Sequence, residues 1–96
     1  MQTLEEALME AVEKRLVAGK YTLGKSSEPF KLSMKTLGKS AVEEAKEKLK
    51  EKGITDFKMY QPDKTLVYFI SGDKVVAKIF TFKPHIKEVV MAFYEW

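Results

Sequence analysis

The chain has 96 residues, of which 45% are hydrophobic and 32% charged, with a net charge of +3. That suffices for one domain with a single modest core, in proportions ordinary for a globular protein. No apolar run approaches the roughly 20 residues that span a bilayer, and the absence of cysteine excludes a disulfide framework, a thiolate nucleophile and a cysteine metal site.

The amino-terminal stretch MQTLEEALMEAVEK is acidic and amphipathic, unlike the basic and apolar start of a signal peptide, so a cytoplasmic location is expected. Asparagine is absent, glutamine occurs twice, and the charges are mostly Lys and Glu, a lean shared with proteins of hot environments. The positive charge is unevenly placed: residues 1–19 sum to −2 and residues 20–39 to +4. Segments that read as strands and turns carry it, which favours a polyanionic partner over a membrane. Lysines that block edge pairing would give the same pattern.

A first helix is expected from about Leu4 to Ala18. Thr3 and Glu6 stand at the capping-box spacing, at which each side chain reaches the other's backbone N–H. Leu4, Leu8, Ala11, Val12 and Leu16 recur at helical spacing, and Gly19 follows as the residue suited to a left-handed helix end. Tyr21 and Leu23 allow a short strand before the turn-like Gly24-Lys25-Ser26-Ser27. Phe30, Leu32 and Met34 alternate with Lys31, Ser33 and Lys35, which predicts a half-buried strand.

The second helix has a capping box at Ser40 and Glu43, a buried stripe of Val42, Ala45 and Leu49, and a stop at Gly53. Residues 54–82 then carry three apolar runs separated by Pro62-Asp63 and Gly72-Asp73, an antiparallel meander. Pro84 suits the first turn of a last helix, in which Ile86, Val89, Val90 and Phe93 fall at i, i+3, i+4 and i+7. The expectation is one α+β domain over residues 1–96, a helix at 1–19 followed by a β-α-β-β-β-α unit at 29–96. Its twisted, antiparallel-rich sheet of four to five strands would have the helices on one face.

Two-residue turns at both hairpins would put Phe57, Met59, Leu66, Tyr68, Ile70, Val75, Ala77 and Ile79 on the core face. The opposite face would carry Lys58, Tyr60, Thr65, Val67, Phe69, Val76, Lys78, Phe80 and Phe82, joined by Lys31, Ser33 and Lys35. Lysines interleaved with aromatic and β-branched residues are unusual for a solvated face. They suit a surface that stacks on bases while neutralising phosphates. DNA or RNA is therefore the expected partner, with Lys31, Lys35, Lys58, Tyr60, Val67, Phe69, Lys78, Phe80 and Phe82 as the contact set. The alternative is a protein-binding or homodimerising module that buries the same face, with Phe93, Tyr94 and Trp96 as anchors.

The run KMYQPDKTLVYFISGDKVVAKIF, preceded by the strand FKLS and a helix, resembles the TATA-binding-protein-like domain, most closely the small amino-terminal domain of type-three ribonuclease H. Its hairpin would be Ser71-Gly72-Asp73-Lys74, with one residue inserted before the lysine. The resemblance spans residues 29–96 and implies a curved sheet whose concave face binds nucleic acid, on the parity of Lys58, Tyr60, Val67, Phe69, Lys78 and Phe80.

No catalytic constellation is visible, and neither a cofactor nor a metal site is expected. Thr36-Leu-Gly-Lys-Ser40 joins a strand to a helix, but Ser33 stands where a phosphate-binding loop needs glycine. Lys39 and Ser40 could hold one phosphate at the helix start. The same pentapeptide, TLGKS, also occurs at 22–26. His85 has no carboxylate or thiol at catalytic spacing, and Asp56 and Asp73 read as turn residues at one end of the sheet.

Overall fold

A Schellman hydrogen-bond pair closes each of the two helices in the computed structural model, which describes residues 4–33, 37–81 and 88–95. Helix α1 spans Leu4–Ala18 and α2 spans Lys39–Glu51. At the end of α2 the Ile54 N–H donates to the Leu49 carbonyl (3.0 Å) and the Gly53 N–H to the Lys50 carbonyl (2.9 Å). The same pair recurs after α1, from Tyr21 to Leu16 and from Lys20 to Val17, both at 3.0 Å. In α2 the left-handed residue is the expected glycine, Gly53 (φ 87°). In α1 it is Lys20 (φ 71°), because Gly19 falls one position too early. An L-residue held there costs roughly 1–2 kcal/mol.

The helix starts differ from expectation. Thr3 lies outside the described residues. Helix α2 begins at Lys39 with Gly38 as its N-cap (φ −155°), and no side chain caps it. Ser40 is thus already inside the first turn, and the Ser40–Glu43 box does not form.

Six strands follow the chain as β1 (Thr22–Leu23), β2 (Phe30–Lys31), β3 (Lys58–Asp63), β4 (Leu66–Ser71), β5 (Lys74–Thr81) and β6 (Val89–Phe93). The sheet order is β2-β6-β5-β4-β3, antiparallel throughout, and β1 pairs in parallel with the start of β5. The α+β class and the antiparallel-rich sheet are as expected, and the strand count exceeds expectation. The last element is a correction: Val89–Phe93 is a strand and not a helix, while Pro84 and Ile86 lie outside the described residues. A short strand buried on both faces is a continuous apolar run, which helical spacing fits equally well. Here Val89 and Met91 enter one core and Val90 and Tyr94 the other.

The faces are also rearranged, for a reason of register. The first hairpin turns at Lys64-Thr65 and not at Pro62-Asp63, held by the Asp63 carboxylate, which accepts from the Thr65 N–H (3.1 Å) and hydroxyl (2.7 Å). Pro62 sits within edge strand β3, where a missing N–H is tolerated. Between Tyr60 and Asp63 the register slips. A second slip leaves Val76 unmatched, since Ile70 pairs Val75 and Phe69 pairs Ala77. Each bulge moves every residue beyond it to the other face.

One face therefore carries Leu66, Tyr68, Ile70, Val75, Phe80, Val90 and Tyr94 beneath Val12 and Leu16 of α1. The other carries Val67, Phe69, Val76, Ala77, Ile79, Val89 and Met91 beneath Ala41, Ala45 and Leu49 of α2. The helices lie on opposite faces and not on one. Complete burial of a side chain such as Leu49, Phe69 or Ile79 stabilises the fold by about 1.5–3 kcal/mol each. Among the described residues, no helix is long and apolar enough to cross a membrane.

Candidate nucleic-acid interface

The expected contact set does not form one surface. Val67 and Phe69 are buried under α2, while Lys78 and Phe80 are buried on the α1 face. Lys31 is exposed at the far edge and ion-paired with Glu88 at 3.0 Å. Lys39 and Ser40 are exposed at the start of α2, about 20 Å along the helix from Lys52. Lys35 and Phe82 lie outside the described residues. The two register slips scatter the set, and the two helices cover Val67, Phe69, Lys78 and Phe80 of it.

Four members do share a face. Lys58 pairs across from Ile70, and Tyr60 from Tyr68, so both belong with Lys78 and Phe80 on the α1 side. Helix α1 covers the inner strands and stops short of β3. Lys58 and Tyr60 stay in solvent on this outermost strand, Tyr60 being 37% exposed.

Between that edge and the last turn of α1 runs a groove of about 370 Å³, lined by Arg15, Leu16, Tyr21, Lys58, Met59, Tyr60 and Ile70. Its floor is apolar (Leu16, Ile70) and its walls are aromatic and cationic. The Lys58 ammonium lies 5.6 Å from the centre of the Tyr21 ring, in cation–π range. Among the described residues neither Arg15 nor Lys58 is ion-paired with a carboxylate. Arg15 and Tyr21 were not legible as site residues. Both flank Gly19, and only the Schellman turn brings them to strand β3, forty residues away in sequence.

Behind the groove lies a buried polar cluster. The Tyr94 hydroxyl donates to a Glu13 carboxylate oxygen at 2.9 Å, and its ring stacks on Tyr68 with centroids 6.4 Å apart. The Lys78 ammonium lies 5.2 Å from the Tyr94 ring centre and 5.6 Å from that of Phe80. Burial pulls this ammonium below the usual lysine range, against the attraction of Glu13. Burial also pushes both phenols far above the ordinary tyrosine value. The Tyr68 hydroxyl is buried and lies near that of Tyr94, without a hydrogen bond of good geometry. The cluster is buried except at the half-exposed Glu13, and it ties α1 to the sheet.

The remaining candidates resolve simply. Tyr94, expected as an interface anchor, is buried; Phe93 is half-buried and stacks on Phe30; Trp96 lies outside the described residues. The Asp56 carbonyl accepts the Ser71 hydroxyl (2.9 Å) and the Asp73 carbonyl accepts the Thr22 N–H (2.7 Å), so both residues serve the backbone. His85 lies outside the described residues, among which no group of three His, Asp or Glu could hold a metal ion. The resemblance to TATA-binding-protein-like domains implies an uncovered concave face, whereas here the face with Lys58, Tyr60 and Lys78 lies largely under α1. Family models, curated proteins and solved structures offer no match to this chain.

Proposed function

We propose that the chain is a small non-enzymatic domain that binds nucleic acid through the groove between the last turn of α1 and edge strand β3. The supporting observation is the convergence of Arg15 and Lys58, two cations without carboxylate partners among the described residues, on the half-buried ring of Tyr21 and the exposed ring of Tyr60. A cation beside an aromatic ring is what a nucleotide needs, since the phosphate meets the charge and the base meets the ring. The net charge of +3 adds a long-range attraction for a polyanion.

A second reading is a protein partner or a second copy of the chain, added as a strand along β3. In its favour, β3 is the outermost strand and exposes Met59 to 48%. Against it, the strand carries Lys58, Pro62 and a bulge, devices that blunt an edge.

Fluorescence anisotropy with a labelled oligonucleotide, repeated across a salt series, separates the two. Nucleic-acid binding predicts affinity that falls steeply with salt and is lost in Arg15→Glu with Lys58→Glu, while the melting temperature holds. Salt-indifferent binding, or none, together with a dimer that Met59→Asp dissolves, would favour the protein reading.

A further inference from the structure

Beyond the groove, the cations continue around one end of the molecule. Both helices finish at this end, and the β4–β5 hairpin turns there. On the α2 side a cleft of about 420 Å³ holds Lys25 and Lys52, with the Lys52 ammonium 4.8 Å from the Phe93 ring centre. Between the two lies a third cleft, of about 340 Å³, that includes Gly53, Asp56, Ser71 and Lys74. The three adjoin through the chain itself. Lys52 of the α2-side cleft precedes Gly53 of the middle one, and Ser71 of the middle cleft follows Ile70 of the groove. The result is a belt with Arg15 and Lys58 on one face of the sheet, Lys74 at the hairpin tip, and Lys25 and Lys52 on the other. It has a cation over an aromatic ring at each end.

Resting on the proposed nucleic-acid reading, we infer that the ligand is a single strand, which passes along this belt from the α1 face to the α2 face. Stiffness decides between strand and duplex. The molecule is a slab about 20 Å thick, and the belt turns around its edge. Duplex DNA, with a persistence length of about 50 nm, is straight on this scale and can meet only one face of the slab. A single strand can follow the turn, and its unpaired bases are free to stack on the exposed Tyr60 at the groove end. Each phosphate met along the belt adds about 0.7 to the steepness of log affinity against log salt for a single strand.

The test compares a dye-labelled oligothymidine of about 16 nucleotides, the upper end of what one small domain covers, with a duplex of equal length. The probes are titrated into the full chain and into Lys25→Ala with Lys52→Ala, exposed positions on the far side from the groove. The expected result is single-strand binding at least about tenfold tighter than duplex, with Tyr60→Ala costing tenfold or more. The lysine pair should flatten the salt slope by about 0.7 for each lysine removed. Equal affinity for duplex, or a salt slope unmoved by the lysine pair, overturns the single-strand path; if Lys58→Glu still abolishes binding, the groove reading survives that outcome. Absence of binding to either probe overturns both.

Discussion

The pentapeptide TLGKS occurs twice and takes two structures, which allows one substitution to be compared with itself. At 22–26 it forms β1 and the segment that bridges to Tyr94; at 38–40 its last three residues form the N-cap and start of the first turn of α2. A Cβ on Gly24 would lie 2.4 Å from the Glu95 carbonyl oxygen and 3.2 Å from its carbon, both backbone atoms. The end of β6 would have to move, straining the Glu95–Lys25 and Ser27–Phe93 hydrogen bonds (3.0 and 2.7 Å). Overpacking of this kind costs about 1–3 kcal/mol. A Cβ on Gly38 meets nothing within 4 Å. There, alanine loses roughly half a kcal/mol of N-cap preference and regains a similar amount from the stiffer unfolded chain, so the net is near zero. Melting followed by circular dichroism should show Gly24→Ala lower by at least about 4 °C. Gly38→Ala should melt within a degree or two of the parent. Equal responses from the two glycines would refute the close approach of Gly24 to Glu95 and, with it, the way β1 is seated.

Lys20→Gly should raise stability by about 1 kcal/mol by relieving the left-handed lysine at the end of α1, and chemical denaturation that shows a loss would contradict the Schellman assignment. Phe69→Ala should cost about 3–5 kcal/mol, as expected of a core residue, whereas a surface contact residue would leave denaturation midpoints unchanged. The buried Tyr68 and Tyr94 phenols have raised native pKa values, so the stability they confer is complete below the unfolded value near 10 and is lost as pH rises above it. Lys78, lowered by burial, works the other way as pH rises toward its unfolded value near 10.4, but two phenols oppose one ammonium. Alkaline melts should therefore fall, and Tyr94→Phe should flatten that fall while lowering the neutral-pH starting point. Asp63, held below the usual carboxylate range by its Thr65 hydrogen bonds, contributes stability above its unfolded pKa that disappears as pH falls through the native one. Thr65→Val removes the hydroxyl bond but keeps the backbone N–H, so it should shrink that acid-side slope without abolishing it.

The elements with strong local chemistry were legible. Gly53 stopped α2 where expected, Gly72 turned the second hairpin, and Val12 and Leu16 marked the buried stripe of α1. What escaped depends on single residues acting at a distance. The unmatched Val76 and the slip before Asp63 reassign whole strands to the opposite face; nothing at Val76 announces a bulge, and Pro62 at the other slip reads equally as a turn. Residues 89–93 were misread because a strand buried on both sides has no polar half to betray its period. The groove escaped for a different reason: Arg15 and Tyr21 meet Lys58 and Tyr60 through a tertiary approach that no spacing rule encodes.

Strand β6 lies inside the sheet, between β5 and β2, although it follows the other five strands in sequence. Until Val89 has left the ribosome, β2 lacks the strand it pairs with among the described residues, and one side of β5 stays largely open. Native assembly of the sheet is thus withheld until β6 arrives, and the α2 layer lacks Val89 and Met91 before then. A nascent chain arrested short of residue 88 should stay protease-sensitive along its whole length. During synthesis the hazard is the exposed side of β5, an apolar strand waiting for a partner that any other unpaired strand could imitate.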